Sequence, residues 1–269
     1  MAIAWLVSVL DAQTQEFYRR VMDTLTQRAV PFMVAGAYAL RHHTGISRQT
    51  KDLDLFVMPT DIERALAVLE AEGFRTDLPF SHWLGKVFDP ISKEFIDIIF
   101  SSGNGVATVD DAFFDHAPHG TCFDVPIRWC PVEEMIWSKA FVMERERFDG
   151  ADVAHLLHAC GPSLDWQRLI ERFGEHWRML LTHVVLYGFI YPNERERIPA
   201  WVIDELTDRM RREASEPPRQ EPVCGGTLLS RAQFLVDIVE HGYLDARVTT
   251  GAMTENEVED WTAAILRKE

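Results

Sequence analysis

Apolar residues recur along this chain with two different periods, and the change of period divides it. Over residues 14–29 they fall at helical spacing and predict an amphipathic helix. PFMVAG, 31–36, reads as a short apolar strand, and AYALRHH behind it opens a second helix. TKDLDLFV, 50–57, alternates polar and apolar residues, the period of a half-buried strand. Pro59, Thr60 and Asp61 stop that strand and cap a helix running to about Glu72, with Gly73 where a helix C-cap belongs. HWLGKVFD and EFIDIIF read as two more strands, and TCFDVPIRWC as a further one.

From Pro131 onward the pattern is helical. Pro131 suits the first position of a helix containing Ser138 and Lys139. Helical periodicity continues through 148–160, 165–190, 199–213, 228–241 and 254–267. The expected organisation is α+β: a mixed α/β core over residues 1–130, then an all-helical domain over 131–269. No internal repeat is present, and 213–226 is the one clear Pro/Gly-rich loop.

Composition adds constraints rather than a new picture. With 269 residues, 47% hydrophobic and 26% charged, the chain can bury a core or two. Its formal net charge of -15 opposes a broad nucleic-acid-binding face, which needs a cation near each phosphate. Cys122, Cys130, Cys160 and Cys224 form no C-x-x-C pair and read as free thiols of a reducing, cytoplasmic setting. The start, MAIAWLVSVLDAQ, lacks the basic region of a signal peptide and reads as a packed element. No apolar stretch is long enough to cross a bilayer, so no membrane partner is expected.

Candidate chemistry concentrates in KDLDLFV. Alternation on a strand puts Asp52 and Asp54 on one face, with Leu53, Leu55 and Val57 on the opposite, core-facing side. Two adjacent carboxylates repel, and a divalent cation compensates them. Asp97 is a lone acid in the apolar run EFIDIIF, where an unpaired buried carboxylate is costly. If the two strands are neighbours, the three acids converge on one site, a geometry that fits two-metal chemistry with Mg²⁺ or Mn²⁺. The turn VAGAYAL puts Gly36 and Ala37 at a strand-to-helix junction, where free backbone N–H groups attract anions such as a triphosphate. Arg48 and Lys51, just before the acids, either hold phosphates or offset the acidic cluster.

VAGAYAL, the DLD at 52–54 and Asp97 together resemble the DNA polymerase beta-like nucleotidyltransferase superfamily. More narrowly, VAGAYALRHHTGISRQTKDLDLFV and WSKAFVMERERFDGADVAHLL resemble the bacterial branch near the abortive-infection nucleotidyltransferase toxins. The resemblance spans roughly residues 31–160. It implies the superfamily's mixed sheet with flanking helices, a nucleoside triphosphate substrate and release of pyrophosphate. It also implies metal-ligand roles for Asp52 and Asp54, metal-ligand or base duty for Asp97, and a phosphate contact from Lys139. The acceptor it leaves open: a small molecule, a protein side chain or an RNA end. A catalytically weak nucleotide-binding protein, or a toxin–antitoxin-type protein with a small protein partner, is the alternative. Many relatives carry Gly-Gly or Gly-Ser in the turn, where this chain has Gly36-Ala37.

Other residues read as structural. Arg145, Arg147, Asp149 and Asp152 suit helix-surface ion pairs around a break at Gly150, with the ordering of Lys139 by Arg145 or Asp149 as the alternative. His155 and His158 lack a third ligand, and His42-His43 read as ordinary packing residues. Trp129, Trp137, Trp166, Trp177 and Trp201 suit packing better than base stacking. CGGTLLSRAQ lacks the Gly-Lys-Ser/Thr ending of a phosphate loop and reads as a helix start.

Overall fold

The computed structural model describes residues 11–48, 50, 52–218 and 220–266, the last without its side chain. Lys51 and most of the N-terminal apolar run therefore lie outside the described residues. The chain divides into two compact units. Unit 1 comprises Met1–Ser101 and Thr108–Pro131, and unit 2 comprises Ser102–Ala107 and Val132–Glu269.

Unit 1 runs α1 (Ala12–Gln27), β1 (Met33–Val34), α2 (Gly36–Thr44), β2 (Leu53–Phe56), α3 (Ile62–Ala71), β3 (Arg75–Phe80), β4 (Leu84–Phe88), β5 (Phe95–Ile99), α4 (Asp111–Asp115), β6 (His119–Cys122) and β7 (Val125–Arg128). Asp11 caps α1 by accepting from the Thr14 N–H at 3.0 Å. β1 to β5 form a mixed sheet in the order β1-β2-β5-β4-β3, with only β2 and β5 parallel. Leu53, Leu55 and Val57 are fully buried, as are Val87, Ile96 and Ile98 on the same face. α3 covers that face: a Cβ at Gly85 on β4 would lie 3.2 Å from Ile62 and 3.4 Å from Leu66. Burial of these branched side chains drives the layer, at about 1.5–3 kcal/mol for each large apolar residue.

Two expectations for unit 1 are corrected. TCFDVPIRWC is a hairpin rather than one strand, because Phe123 and Asp124 both take positive φ, 49° and 64°, and turn the chain in two residues. Its outgoing strand reaches the sheet edge, where the Cys130 N–H donates to the Val34 carbonyl at 2.8 Å. RTDLPF, unassigned from the sequence, is the edge strand β3; its mostly exposed residues lack the alternation that marks a half-buried strand.

Unit 2 contains α5 (Val132–Ala140), α6 (Gly150–Cys160), α7 (Trp166–Phe173), α8 (Trp177–Ile190), α9 (Ala200–Ala214), β8 (Val223–Cys224), α10 (Leu235–Val239), β9 (Leu244–Asp245), α11 (Ala246–Thr249) and α12 (Glu255–Leu266). The helix expected over 165–190 is broken at Gly174, whose φ of +47° cannot continue an α-helix. The region beyond 220 is not all helical, since β8 and β9 pair in parallel and only a five-residue helix forms between them. CGGTLL holds a 3-10 turn, Gly225–Leu228. Ser102–Ala107 belongs to this unit although it comes from the first half: Asn104 Nδ2 donates to the Leu228 carbonyl at 2.7 Å.

Buried charge ties the helices of unit 2. Arg168 on α7 binds Glu133 and Glu134 on α5, and Arg172 donates to Glu134 at 3.0 Å. The ion pairs expected on a helix surface near Gly150 are instead buried. Lys139 Nζ lies 3.0 Å from Asp149 and 2.8 Å from Asp152, while Arg145 and Arg147 are open to solvent. His158 stacks on Tyr191 with centroids 4.4 Å apart, a packing role. Among the named tryptophans of this unit, Trp137 and Trp166 are buried while Trp201 is exposed.

Burial pushes the Asp149 carboxyl upward, but hydrogen bonds and charges from Arg147 and Lys139 outweigh it and hold the group at about 2. A depressed carboxylate stabilises the fold above its unfolded pKa of about 4 and loses that contribution as the pH falls toward 2. Asp149→Asn is therefore expected to lose about 2 kcal/mol or more at neutral pH. Its gap to wild type should close progressively below pH ~4, as read by urea unfolding across a pH series.

Candidate active site

The site is built where the β1–α2 junction meets β2. β1 ends at Val34, Ala35 takes extended backbone, and Gly36 turns with φ +55° into α2. The Ala35 N–H donates to the Asp54 carbonyl at 2.9 Å, which pins the turn against β2. A Cβ at Gly36 would lie 1.7 Å from Asp54 Oδ2, so the Asp54 carboxylate fills the space a side chain would need. Position 36 thus requires glycine twice, for its φ and for the close approach. Gly36, Ala37 and Tyr38 form the first turn of α2, all half-buried, and no side chain caps it. Backbone N–H groups at such a turn have no intrahelical acceptor and carry the positive end of the helix dipole.

The three predicted acids share one sheet face. Asp54 on β2 stands in register with Asp97 on the parallel neighbour β5, and Asp52 precedes β2 by one residue. Asp52, Asp54 and Asp97 are half-buried, opposite the buried leucines and isoleucines. Thr50 donates its hydroxyl to Asp52 Oδ1 at 3.0 Å. Asp97 has a partner the sequence reading missed: Lys86 on β4, in cross-strand register, puts Nζ 2.5 Å from Asp97 Oδ1. Burial pushes the Asp97 carboxyl up; Lys86 pulls it back through a hydrogen bond and its charge, and Asp52 adds to the rise. Desolvation prevails, so Asp97 stays above the ordinary aspartate value.

Two phenols also border the acids. Tyr38 on α2 lies edge-on to Tyr18 of α1 at 6.4 Å and to Phe123 at 5.5 Å. Burial pushes Tyr38 up to about 12, with Cys122, Asp52 and Asp54 adding repulsion. Tyr18 is raised by the same kind of burial and by nearby negative groups including Asp52 and Asp54. A tyrosine at helical spacing looks like core from the sequence, and only the packing brings these two beside the carboxylates.

The other predicted residues are placed as follows. Arg48 is exposed on the loop between α2 and β2. Lys139 belongs to unit 2, where Asp149 and Asp152 take its ammonium. His43 Nε2 bonds the Cys130 carbonyl at 2.8 Å, and His42 stacks on Trp129 at 4.6 Å, so both pack. Burial lowers the pKa of each, with His43 adding to the effect on His42. The cysteines are free thiols, and among the described residues no helix is long and apolar enough to cross a membrane.

The donor chemistry suits a hard divalent cation. Asp52 and Asp54 offer carboxylate oxygens beside an anion-attracting helix start, the mixture Mg²⁺ takes when substrate phosphates and water complete its shell. Among the described residues no three His, Cys, Asp or Glu side chains are grouped to hold an ion by themselves. Asp54 and Asp97 stand side by side on neighbouring strands, and Lys86 is paired with Asp97.

No family model and no curated protein matches this chain. Among solved structures it is similar to the antibiotic-resistance factor ANT(2'')-Ia, at 18% identity and a TM-score of 0.44, covering 65% of this chain and 98% of that one. The lincomycin-bound lincosamide antibiotic adenylyltransferase LnuA gives 15% identity and a TM-score of 0.36, over 54% of this chain and 95% of that one. JHP933 from Helicobacter pylori gives 13% identity and a TM-score of 0.39, over 77% and 98%. Identity and superposition are both low, and none of these proteins' activities transfers to this chain.

Proposed function

We propose that this chain is a metal-dependent nucleotidyltransferase, moving a nucleoside monophosphate from a nucleoside triphosphate to an acceptor hydroxyl. The observation that carries the reading is the fit of Asp54 against Gly36: it sets a carboxylate pair beside the open first turn of α2. A triphosphate is attracted by that turn and repelled by the acids, and a divalent cation would reconcile the two. Asp52 and Asp54 would hold Mg²⁺ or Mn²⁺, which would shield the phosphate charge and polarise the α-phosphorus.

The protein's own groups do the rest. Backbone N–H groups of Gly36 and Ala37 orient the triphosphate, and Arg48 and Lys51, just before the acids, hold its outer phosphates. Asp97, raised by burial, accepts the proton of the acceptor hydroxyl. The acceptor oxygen bonds to the α-phosphorus as the bridge to the β-phosphate breaks, and pyrophosphate leaves with the electron pair. The net charge of -15 favours a small-molecule or protein acceptor over a long nucleic acid. Binding without turnover is the second reading, favoured by one observation, the ion pair that already occupies Asp97.

Three results are expected. A native-state ligand at about 100 times its dissociation constant adds roughly 2.7 kcal/mol. At about 2–4 °C per kcal/mol, at least one nucleoside triphosphate with Mg²⁺ or Mn²⁺ should raise the melting temperature by roughly 5–10 °C. EDTA in place of the metal should abolish most of the rise. No shift with any of the four ribonucleotides or their deoxy forms refutes the reading.

Asp54→Asn keeps the shape but removes a ligand oxygen's charge. Transfer of labelled nucleotide to acceptors in a cell extract should fall at least ~100-fold, while the apo protein keeps its stability as repulsion with Asp52 is relieved. Near-normal transfer would contradict the mechanism. Wild-type protein that shows the melting shift yet labels nothing is a nucleotide-binding protein without turnover.

Gly36→Ala strains a left-handed backbone at a cost of about 1–2 kcal/mol and pushes Asp54 aside. It should lower the apo melting temperature and lose the nucleotide-dependent rise, measured in the same melting series.

A further inference from the structure

α8, WRMLLTHVVLYGFI, is apolar almost all the way round, with Arg178 its one full charge. A helix of that kind belongs in an interior on every side. Leu180, Leu181, Val184 and Tyr187 are indeed buried, yet Val185 and Phe189 stand 65% and 82% exposed. Arg178, Thr182, Val185 and Phe189 follow at helical spacing, so they form one stripe, and all four are exposed. α9 returns beside α8 in the opposite direction: Arg178 at the start of α8 lies 2.6 Å from Glu213 at the end of α9. The stripe of α9 that carries Glu213 also carries Ile203, Leu206 and Met210. Leu206 is buried, while Ile203 and Met210 are exposed. The two stripes run side by side, so Val185, Phe189, Ile203 and Met210 line one apolar strip, with the Arg178–Glu213 pair at one end. Large apolar residues grouped in this way on adjoining helices mark an interface rather than scattered surface.

The charges along the outer border of the strip say what fits it. One residue on from Ile203 and Met210 stand Asp204 and Arg211, both exposed and two helical turns apart. Asp208 lies between them and pairs with Arg211 at 2.5 Å, an exposed contact of little weight. The border is thus acidic toward one end and basic toward the other. A partner surface of a single sign meets repulsion at one of those ends. A second copy of α9, turned by a two-fold axis near Thr207 so that the helices run antiparallel, meets none: each copy's Asp204 faces the other copy's Arg211. We propose that this chain forms a two-fold dimer through α8 and α9. Val185, Phe189, Ile203 and Met210 supply its apolar centre, and two symmetric Asp204–Arg211 pairs set its register. The same patch serves on both copies, so the contact closes at two. The proposal is independent of the nucleotidyltransferase reading.

Sedimentation equilibrium of the full chain tests it. Wild type is expected to be a dimer in the micromolar range. A monomer through the high-micromolar range, or assembly beyond two copies, overturns the proposal. Phe189→Asp, at an exposed position, should keep the circular dichroism of wild type and sediment as a monomer. A dimer as tight as wild type in that variant overturns the placement. Asp204→Arg alone and Arg211→Asp alone each set like charges opposite one another at two places, and each should weaken the dimer at least ~10-fold. An equimolar mixture of these two variants should recover it, because every pair across the axis is then of opposite sign. The Asp204→Arg/Arg211→Asp double variant should recover it for the same reason. Single variants that dimerise like wild type, or a mixture that stays monomeric, overturn the antiparallel two-fold pairing and the proposal with it.

Discussion

The Asp54 carboxylate and the Gly36 backbone occupy adjoining space, and a single methyl group at position 36 would fall 1.7 Å from Oδ2. That contact joins three elements. It fixes where β1 ends, because the turn must leave the strand with positive φ. It fixes where α2 begins, and so where its uncapped N–H groups point. It fixes the side-chain position of the central acid of β2. A helix dipole and a carboxylate brought together in this way can serve a ligand that carries both phosphate and metal charge. The nucleotidyltransferase reading follows from that pairing more than from the count of acids.

The sheet behind the contact sorts chemistry by face. Branched apolar residues of β2, β4 and β5 are sealed under α3, and the opposite face carries the acids, Lys86 and the half-buried aromatics Phe88 and Phe95. Strand alternation makes this division automatic, since a shift of one residue in register would bury the acids and expose the core. The parallel β2–β5 pair is what aligns Asp54 with Asp97, and the antiparallel β5–β4 pair is what brings Lys86 to Asp97. The acids and the lysine beside them thus come from the same hydrogen-bonded ladder.

Unit 2 uses charge differently. Arg168 and Arg172 against Glu133 and Glu134, and Lys139 against Asp149 and Asp152, are buried pairs that join helix to helix. Such pairs are costly to break, because removal of one partner leaves a desolvated charge behind. They place strict demands on side-chain identity in this unit.

The sequence by itself determined the elements whose signals are local. Period-two alternation marked β2, β4 and β5, helical spacing marked α1, α3 and α5, and the D-x-D pair required Asp52 and Asp54 to share a face because side chains alternate along a strand. The glycine turn was legible for the same reason, as φ is a property of one residue and its neighbours. What depended on distant partners was not legible. The two-residue turn at Phe123-Asp124 uses residues that do not advertise positive φ, and β3 is an edge strand without an apolar stripe. The Gly174 break needed the backbone angle itself. Lys139 sits among Asp149 and Asp152, a pairing with Asp149 that the sequence offered only as an alternative, and the ion pairs expected at the surface there are buried. Lys86 gave no signal at all, since a lysine in a strand is ordinary until strand order places it opposite Asp97. Register and strand order are set by the packing of the whole sheet, so the ion pair that decides the charge of the site belongs to the tertiary structure alone.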